Sequence, residues 1–280
     1  MIPPRNASPI AGIAVRPLPG AAPEAPAPLA VGAAIVTSPG TTGAVNFAPL
    51  IARLSLRIAP HVIDLAGFGA SGRLPAPPFF DVAFWLDQIE HAIARIHDRH
   101  GFAPVLLGNS VGGALALKLA ARRIDLPHVV AIGAPAAAEP TAALRAFWTA
   151  PRSETALADA MRPMTGAALT PDPALVRDRL APFLSGDYAG YFNAMLADPH
   201  SCLEAATLSD VEAARIVAPV TLLHGDRDRA CPLAATLELR DRLPQADLTV
   251  FGGTGHNLIA ERPADIAAHV EFLVEKVERL

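Results

Sequence analysis

A chain of 280 residues is long enough for one large domain or for a domain carrying an insertion. Its composition, 51% hydrophobic and 18% charged, supplies a core, and a net charge of −4 lacks the basic footprint that nucleic acid requires. No apolar run is long enough to span a membrane: the nearest, 104–121, is interrupted by Asn109, Ser110, Lys118 and glycines.

The first thirty residues are rich in Pro and Ala ("PLPGAAPEAPAPLA") and read as an N-terminal arm over 1–30 that carries no chemistry. Prolines stand where a secretory signal needs an apolar helix, so no targeting peptide is expected. Strand-like runs follow at 33–37 (AAIVT), 61–65 (HVIDL), 104–108 (PVLLG), 128–132 (HVVAI), 219–224 (PVTLLH) and 247–251 (DLTVF). None alternates polar with apolar, as befits parallel strands buried on both faces.

Helical patterns separate the strands. Val82, Trp85, Leu86, Ile89, Ile93 and Ile96 recur at steps of three and four, with Asp81 as N-cap. Ile266, Val270, Leu273 and Val277 repeat this pattern behind Pro263. Strand–helix alternation predicts an α/β fold, a doubly wound, mostly parallel sheet. Residues 138–215 break the alternation. They hold helical stretches interrupted at Pro151, Pro163, Pro171, Pro182 and Pro199 and read as a helical cap. The core then comprises 31–137 and 216–280. Such an insertion lies over the carboxyl ends of the strands, where open α/β sheets bind ligands.

The chemistry concentrates at strand ends. Gly108-Asn109-Ser110-Val111-Gly112 is a G-x-S-x-G between a strand and a helix. The serine sits on a strained turn with its hydroxyl exposed, and only glycines fit beside it. A serine hydroxyl needs a base and an orienting acid, in the chain order Ser, Asp or Glu, His. "LLHGDRDRACP" offers Asp226 and Asp228; "FGGTGHNLIAERP" offers His256. Asp228 is taken as the acid because it lies further past the Gly225 turn, and Asp226 as a turn-forming carboxylate. An oxyanion hole needs two N–H donors: Val111 follows the nucleophile, and Thr37 or Ser38 in "TSPGTTG" supplies the second. His61, His128 and His224, at strand ends, read as structural. Cys202 and Cys231 form neither a metal spacing nor a disulfide framework and fit a reducing cytoplasm. No metal and no cofactor is expected.

These motifs, with "DLAGFGASG" at 64–72, resemble the α/β-hydrolase superfamily from about 33 to 278. Within it the chain is most similar to the meta-cleavage-product hydrolases, which cut carbon–carbon bonds in ring-opened aromatic compounds. "SPGTTGAVNF" resembles their oxyanion loop, followed by Asn46 and an aromatic residue; Asn109 matches their Gly-Asn-Ser; "LTPDPALVRDRL" resembles a cap segment in which Arg179 matches an arginine that pairs with the acidic substrate. The chain departs from the family at Val36-Thr37, where His-Gly is usual, and at Asn257, where Trp is usual. The resemblance implies hydrolysis of a 2-hydroxy-6-oxo-dienoate type compound, a small molecule. Asn109, Asn46, Arg179, Asn257 and Trp148 are candidate substrate contacts. The same triad serves a carboxylesterase or lactonase, and a catalytically silent ligand-binding relative is a further alternative, although an intact Ser–Asp–His order argues against it. A homodimer is left open.

Overall fold

A computed structural model describes residues 15–17, 27–32, 43–166 and 170–279. Seven strands form one sheet: β1 (Val15–Pro17), β2 (Ala27–Gly32), β3 (Ile58–Ile63), β4 (Val105–Asn109), β5 (Val129–Ile132), β6 (Val220–Gly225) and β7 (Ala246–Phe251). Their order is β1-β3-β2-β4-β5-β6-β7, antiparallel only between β1 and β3.

Successive residues of the inner strands face opposite sides, which explains why they read as unbroken apolar runs. Leu106, Val129, Ala131 and Leu222 join one core cluster; Val105, Leu107, Val130, Ile132 and Leu223 join another. The first cluster is covered by α2 (Val82–His100) and α3 (Val111–Ala120), the second by α1 (Gly43–Ile51) and α12 (Pro263–Glu278). Helix α2 follows its predicted face. Trp85, Leu86, Ile89, Ile93 and Ile96 are buried, and the Asp81 carboxylate accepts from the Phe84 N–H at 2.9 Å. Each such aliphatic side chain contributes about 1.5–3 kcal/mol by leaving water.

The structure departs from the sequence reading in two places. Val15–Pro17, inside the expected arm, and Ala27–Gly32, which crosses its end at residue 30, pair with β3, and Leu29 to Val31 also pair with β4. Pro28 lacks an N–H and the neighbouring residues are small, so this inner strand carries little of the usual strand signal. The run 33–37 lies outside the described residues. Pro182 also does not break a helix; it lies inside α6 (Pro173–Leu184).

Among the described residues six α-helices stand between β5 and β6: α4 (Ala142–Phe147), α5 (Glu154–Met161), α6, α7 (Tyr188–Met195), α8 (Pro199–Ala206) and α9 (Asp210–Ala213). Phe183, Tyr188 and Phe192 pack ring against ring at centroid distances of 5.2 to 6.3 Å. Two short helices complete the described chain, α10 (Leu233–Arg242) and α11 (Leu258–Glu261). The chain moves from β2 outward to β3, returns past β2 to β4, and then continues to β7. That reversal makes the carboxyl ends of β2 and β4 the switch point, where ligands bind in such sheets. No helix among the described residues is long and apolar enough to cross a membrane.

Candidate active site

Ser110 follows β4 directly and has φ 56° and ψ −129°, the one non-glycine residue with positive φ among those described. Such a conformation stores strain, and the surroundings hold it in place. The Ser110 N–H donates to the Ile132 carbonyl at 2.7 Å, and the Ser110 carbonyl accepts from Gly113 at 2.8 Å. Gly108 is required because any Cβ there would strike the Gly112 carbonyl. The turn thus needs glycine for the close backbone approach of strand and helix. Val111, the first residue of α3, has an N–H with no intrahelical acceptor. Thr37 and Ser38 lie outside the described residues.

Because β4, β6 and β7 run parallel, the loops after them share one rim. Asp228 follows β6 and His256 follows β7. His256 Nδ1 and Asp228 Oδ2 are 2.7 Å apart, and Oδ1 accepts from the Ala230 and Cys231 N–H groups at 2.8 Å each. Burial disfavours the charged form of both side chains. For Asp228 the His256 charge and hydrogen bond, the Cys231 N–H and His224 outweigh burial and hold the carboxyl below its ordinary value. For His256 the Asp228 charge and hydrogen bond, with a smaller effect from Glu261, outweigh it and raise the imidazole. Asp226 turns elsewhere: its Oδ1 accepts from the Gly253 N–H at 2.7 Å, the loop-forming task expected of it.

The cap meets the His256 loop at a seam the sequence did not reveal. The Asn257 N–H donates to the Met164 carbonyl at 2.9 Å. Glu261 accepts from the Gly255 N–H at 3.0 Å through Oε1 and from the Gly166 N–H at 2.7 Å through Oε2. One carboxylate therefore ties the histidine loop to the cap. Half-buried, it is itself raised, chiefly by desolvation. Its place five residues after His256 within "HNLIAERP" was the available signal.

Ser110, Val111, His256 and Asn257 line one cavity of about 170 Å³ together with the cap residues Phe147, Trp148, Met161, Met164 and Arg179. Five predicted residues (Ser110, Val111, His256, Asn257 and Trp148) thus line the same cavity as Arg179. Arg179 is buried on α6; its Nη2 donates to the Asn46 Oδ1 at 2.8 Å. Its Nε and the Asn46 Nδ2 have no partner among the described residues, and no carboxylate there pairs with the guanidinium. Burial pushes its pKa down to about 10. A buried cation without a counter-charge is costly, and an anionic ligand would relieve that cost. Asn109 does not reach the cavity wall: it is fully buried, and its Nδ2 donates to the Ile132 carbonyl at 3.1 Å. Among the described residues no cluster of three or more His, Cys, Asp or Glu could hold a metal ion.

The alpha/beta hydrolase family matches residues 35–269. A 2-hydroxymuconate semialdehyde hydrolase of Pseudomonas putida is 33% identical over 89% of this chain and 87% of its own. A 2-hydroxy-6-oxo-2,4-heptadienoate hydrolase of another Pseudomonas putida strain is 30% identical over 79% of each chain. Among solved structures, the 2-hydroxy-6-oxo-6-phenylhexa-2,4-dienoate hydrolase of a Rhodococcus species superimposes with a TM-score of 0.79 at 21% identity, over 94% of this chain and 99% of that one.

Proposed function

We propose that this chain, which belongs to the α/β hydrolase family, hydrolyses a carbon–carbon bond in a ring-opened 2-hydroxy-6-oxo-dienoate type compound. In this reading Ser110 is the nucleophile or the group that positions water, His256 is the base and Asp228 orients it. Val111 supplies one oxyanion N–H, and Thr37 or Ser38 the other. The hydrolase core, which takes in the strands at 15–17 and 27–32, and the cap over 138–215 are the two main parts of the chain.

The roles follow from the chemistry of the bond. The substrate first ketonises, leaving an electrophilic carbonyl at its remote end. His256 takes a proton as Ser110 or water adds to that carbonyl. The carbon–carbon bond then breaks, and its electron pair moves into the dienolate that carries the carboxylate. That fragment is a poor leaving group unless its charge is stabilised. A guanidinium near the carboxylate and enolate provides this stabilisation.

One observation carries the reading beyond a generic serine hydrolase. Arg179 is a buried cation on the wall that faces Ser110, hydrogen-bonded to a neutral amide and left without a carboxylate among the described residues. A neutral ester or lactone would leave that charge unpaired, whereas a dienoate carboxylate completes it. Two relatives at 30% and 33% identity carry names for this reaction type.

Turnover of yellow ring-opened dienoates, compared with that of short nitrophenyl esters, tests the assignment. The dienoate is expected to have the larger kcat/KM. Consumption of the esters alone would make the protein a carboxylesterase.

A further inference from the structure

Two histidine rings reach the same oxygen of Asp228. His256 Nδ1 lies 2.7 Å from Oδ2 and His224 Nε2 lies 3.6 Å from it. His224 belongs to β6 and its side chain is wholly buried. Nε2 is 3.0 Å from the Cys231 carbonyl, and Nδ1 is 3.0 Å from the Thr236 hydroxyl on α10.

The partners settle the ring's tautomer. A carbonyl only accepts, so Nε2 carries the proton. Burial holds the ring below the ordinary histidine range, so it stays neutral and Nδ1 accepts from Thr236. The titratable groups facing it are Asp228, His256 and Cys231, and burial raises the Cys231 thiol well above its usual value. His224 is thus a neutral donor beside a carboxylate, not a second cation competing with His256.

The Cys231 backbone is held on both sides of its Cα, through two successive peptide planes. Its N–H donates to Asp228 Oδ1 at 2.8 Å, and its carbonyl accepts from His224. Removing the His224 N–H would leave the carbonyl without that donor and free the Cys231–Pro232 plane to rotate. The N–H that holds Asp228 belongs to the preceding Ala230–Cys231 plane, which meets the freed plane at the Cys231 Cα and loses its anchor on that side.

We infer that His224, with Thr236 behind it, is a positioning residue: it fixes the Cys231 backbone and, through it, the orientation in which Asp228 holds His256. This role rests on the reading of Ser110, Asp228 and His256 as a catalytic unit. In sequence His224 is indistinguishable from His61 and His128, which also stand at strand ends. His128 differs, since its ring meets the Thr221 hydroxyl at 2.9 Å and no residue of the site.

The experiment compares wild type with His224→Leu, His224→Gln and Thr236→Val. Active sites are counted by exhaustive fluorophosphonate titration of Ser110. The kcat, KM and pH profile with a short nitrophenyl ester are then measured per titrated site. His224→Leu is expected to lower kcat about 10- to 100-fold, the usual range for groups that orient a catalytic ligand, with KM within about threefold. Its acid limb should move to lower pH, because a misplaced Asp228 raises His256 less. Thr236→Val should shift both in the same direction by less. His224→Gln, whose amide gives one N–H and takes one hydroxyl, should restore most of the loss. A purely structural role would lower the titrated fraction and leave per-site kcat and the acid limb unchanged, which overturns the inference. If His224→Leu does not fold, an unshifted limb in Thr236→Val overturns it equally. Should Ser110 label in none of the proteins, wild type included, the proposed function fails and this role fails with it.

Discussion

The two walls of the cavity are built on different principles. On the core wall the groups that hold Asp228 and the Ser110 turn are matched. Asp228 takes three N–H donors, and the Ser110 turn is locked by backbone contacts too close for any side chain at Gly108. On the cap wall the groups around Arg179 are not. Arg179 Nε is buried and unpartnered among the described residues, as is Nδ2 of Asn46, the α1 residue that Arg179 bonds from behind the cavity lining. A set that is complete without ligand is preorganised for chemistry, and one left incomplete waits for a ligand to finish it. The difference separates catalysis from recognition by location.

The sharpest break of this comparison is on the core wall. Ser110→Ala should lower turnover of every substrate by about 10⁴-fold or more with the fold intact, as triad removals do. Circular dichroism checks the fold, and kcat for both dienoate and ester checks the chemistry. Activity above a thousandth of wild type would deny Ser110 its role. On the cap wall, Arg179→Met should distinguish substrates instead. Dienoate kcat/KM should fall about 10²- to 10³-fold, the range for losing one charge-stabilising donor, while ester turnover stays within a few-fold. Equal losses on both substrates would show that Arg179 supports the cavity and recognises nothing.

The sequence revealed these two walls unequally. Ser110, Asp228 and His256 announce themselves because each follows a strand whose apolar run is unbroken, and the parallel sheet puts all three on one rim. Asp228 and Asp226, two residues apart in one loop, part company in their hydrogen bonds, to His256 in one case and to Gly253 in the other. Asn109 was read as a substrate contact, yet its fully buried amide serves the Ile132 carbonyl. A residue beside a nucleophile on a strand points away from it, and motif spacing does not show direction. The strand at 27–32 was obscured by Pro28 and small residues. Glu261 was missed because its partners are backbone N–H groups, which any sequence supplies.

Glu261 joins the two walls, so its removal tests whether they act separately. Glu261→Gln removes a charge that raises His256 and leaves a side chain with one acceptor oxygen in place of two. The acid limb of kcat/KM reports His256 losing its proton. It should lie above the ordinary histidine value of 6.5 in wild type and move to lower pH in the variant. A kcat loss of about tenfold should accompany this shift. A limb that stays fixed while kcat falls would assign Glu261 to seating the cap alone.

The smallest effect is expected at the seam furthest from the chemistry. Arg73 pairs with Asp187 at 2.5 Å and lies 5.0 and 5.5 Å from the Tyr188 and Tyr191 ring centres on α7. Both charges are exposed, at 39% and 90%, so the ion pair itself contributes little. The ring stacking adds about 0.5–1 kcal/mol at such a site. Beneath it, Tyr188 donates to the Gly67 carbonyl at 3.1 Å, a buried bond that holds the cap without Arg73. Arg73→Ala should therefore lower Tm by only a few degrees and leave kcat on both substrates within about twofold. A selective rise in dienoate KM would show that this seam helps set the cap wall's geometry, and the two walls would no longer be independent.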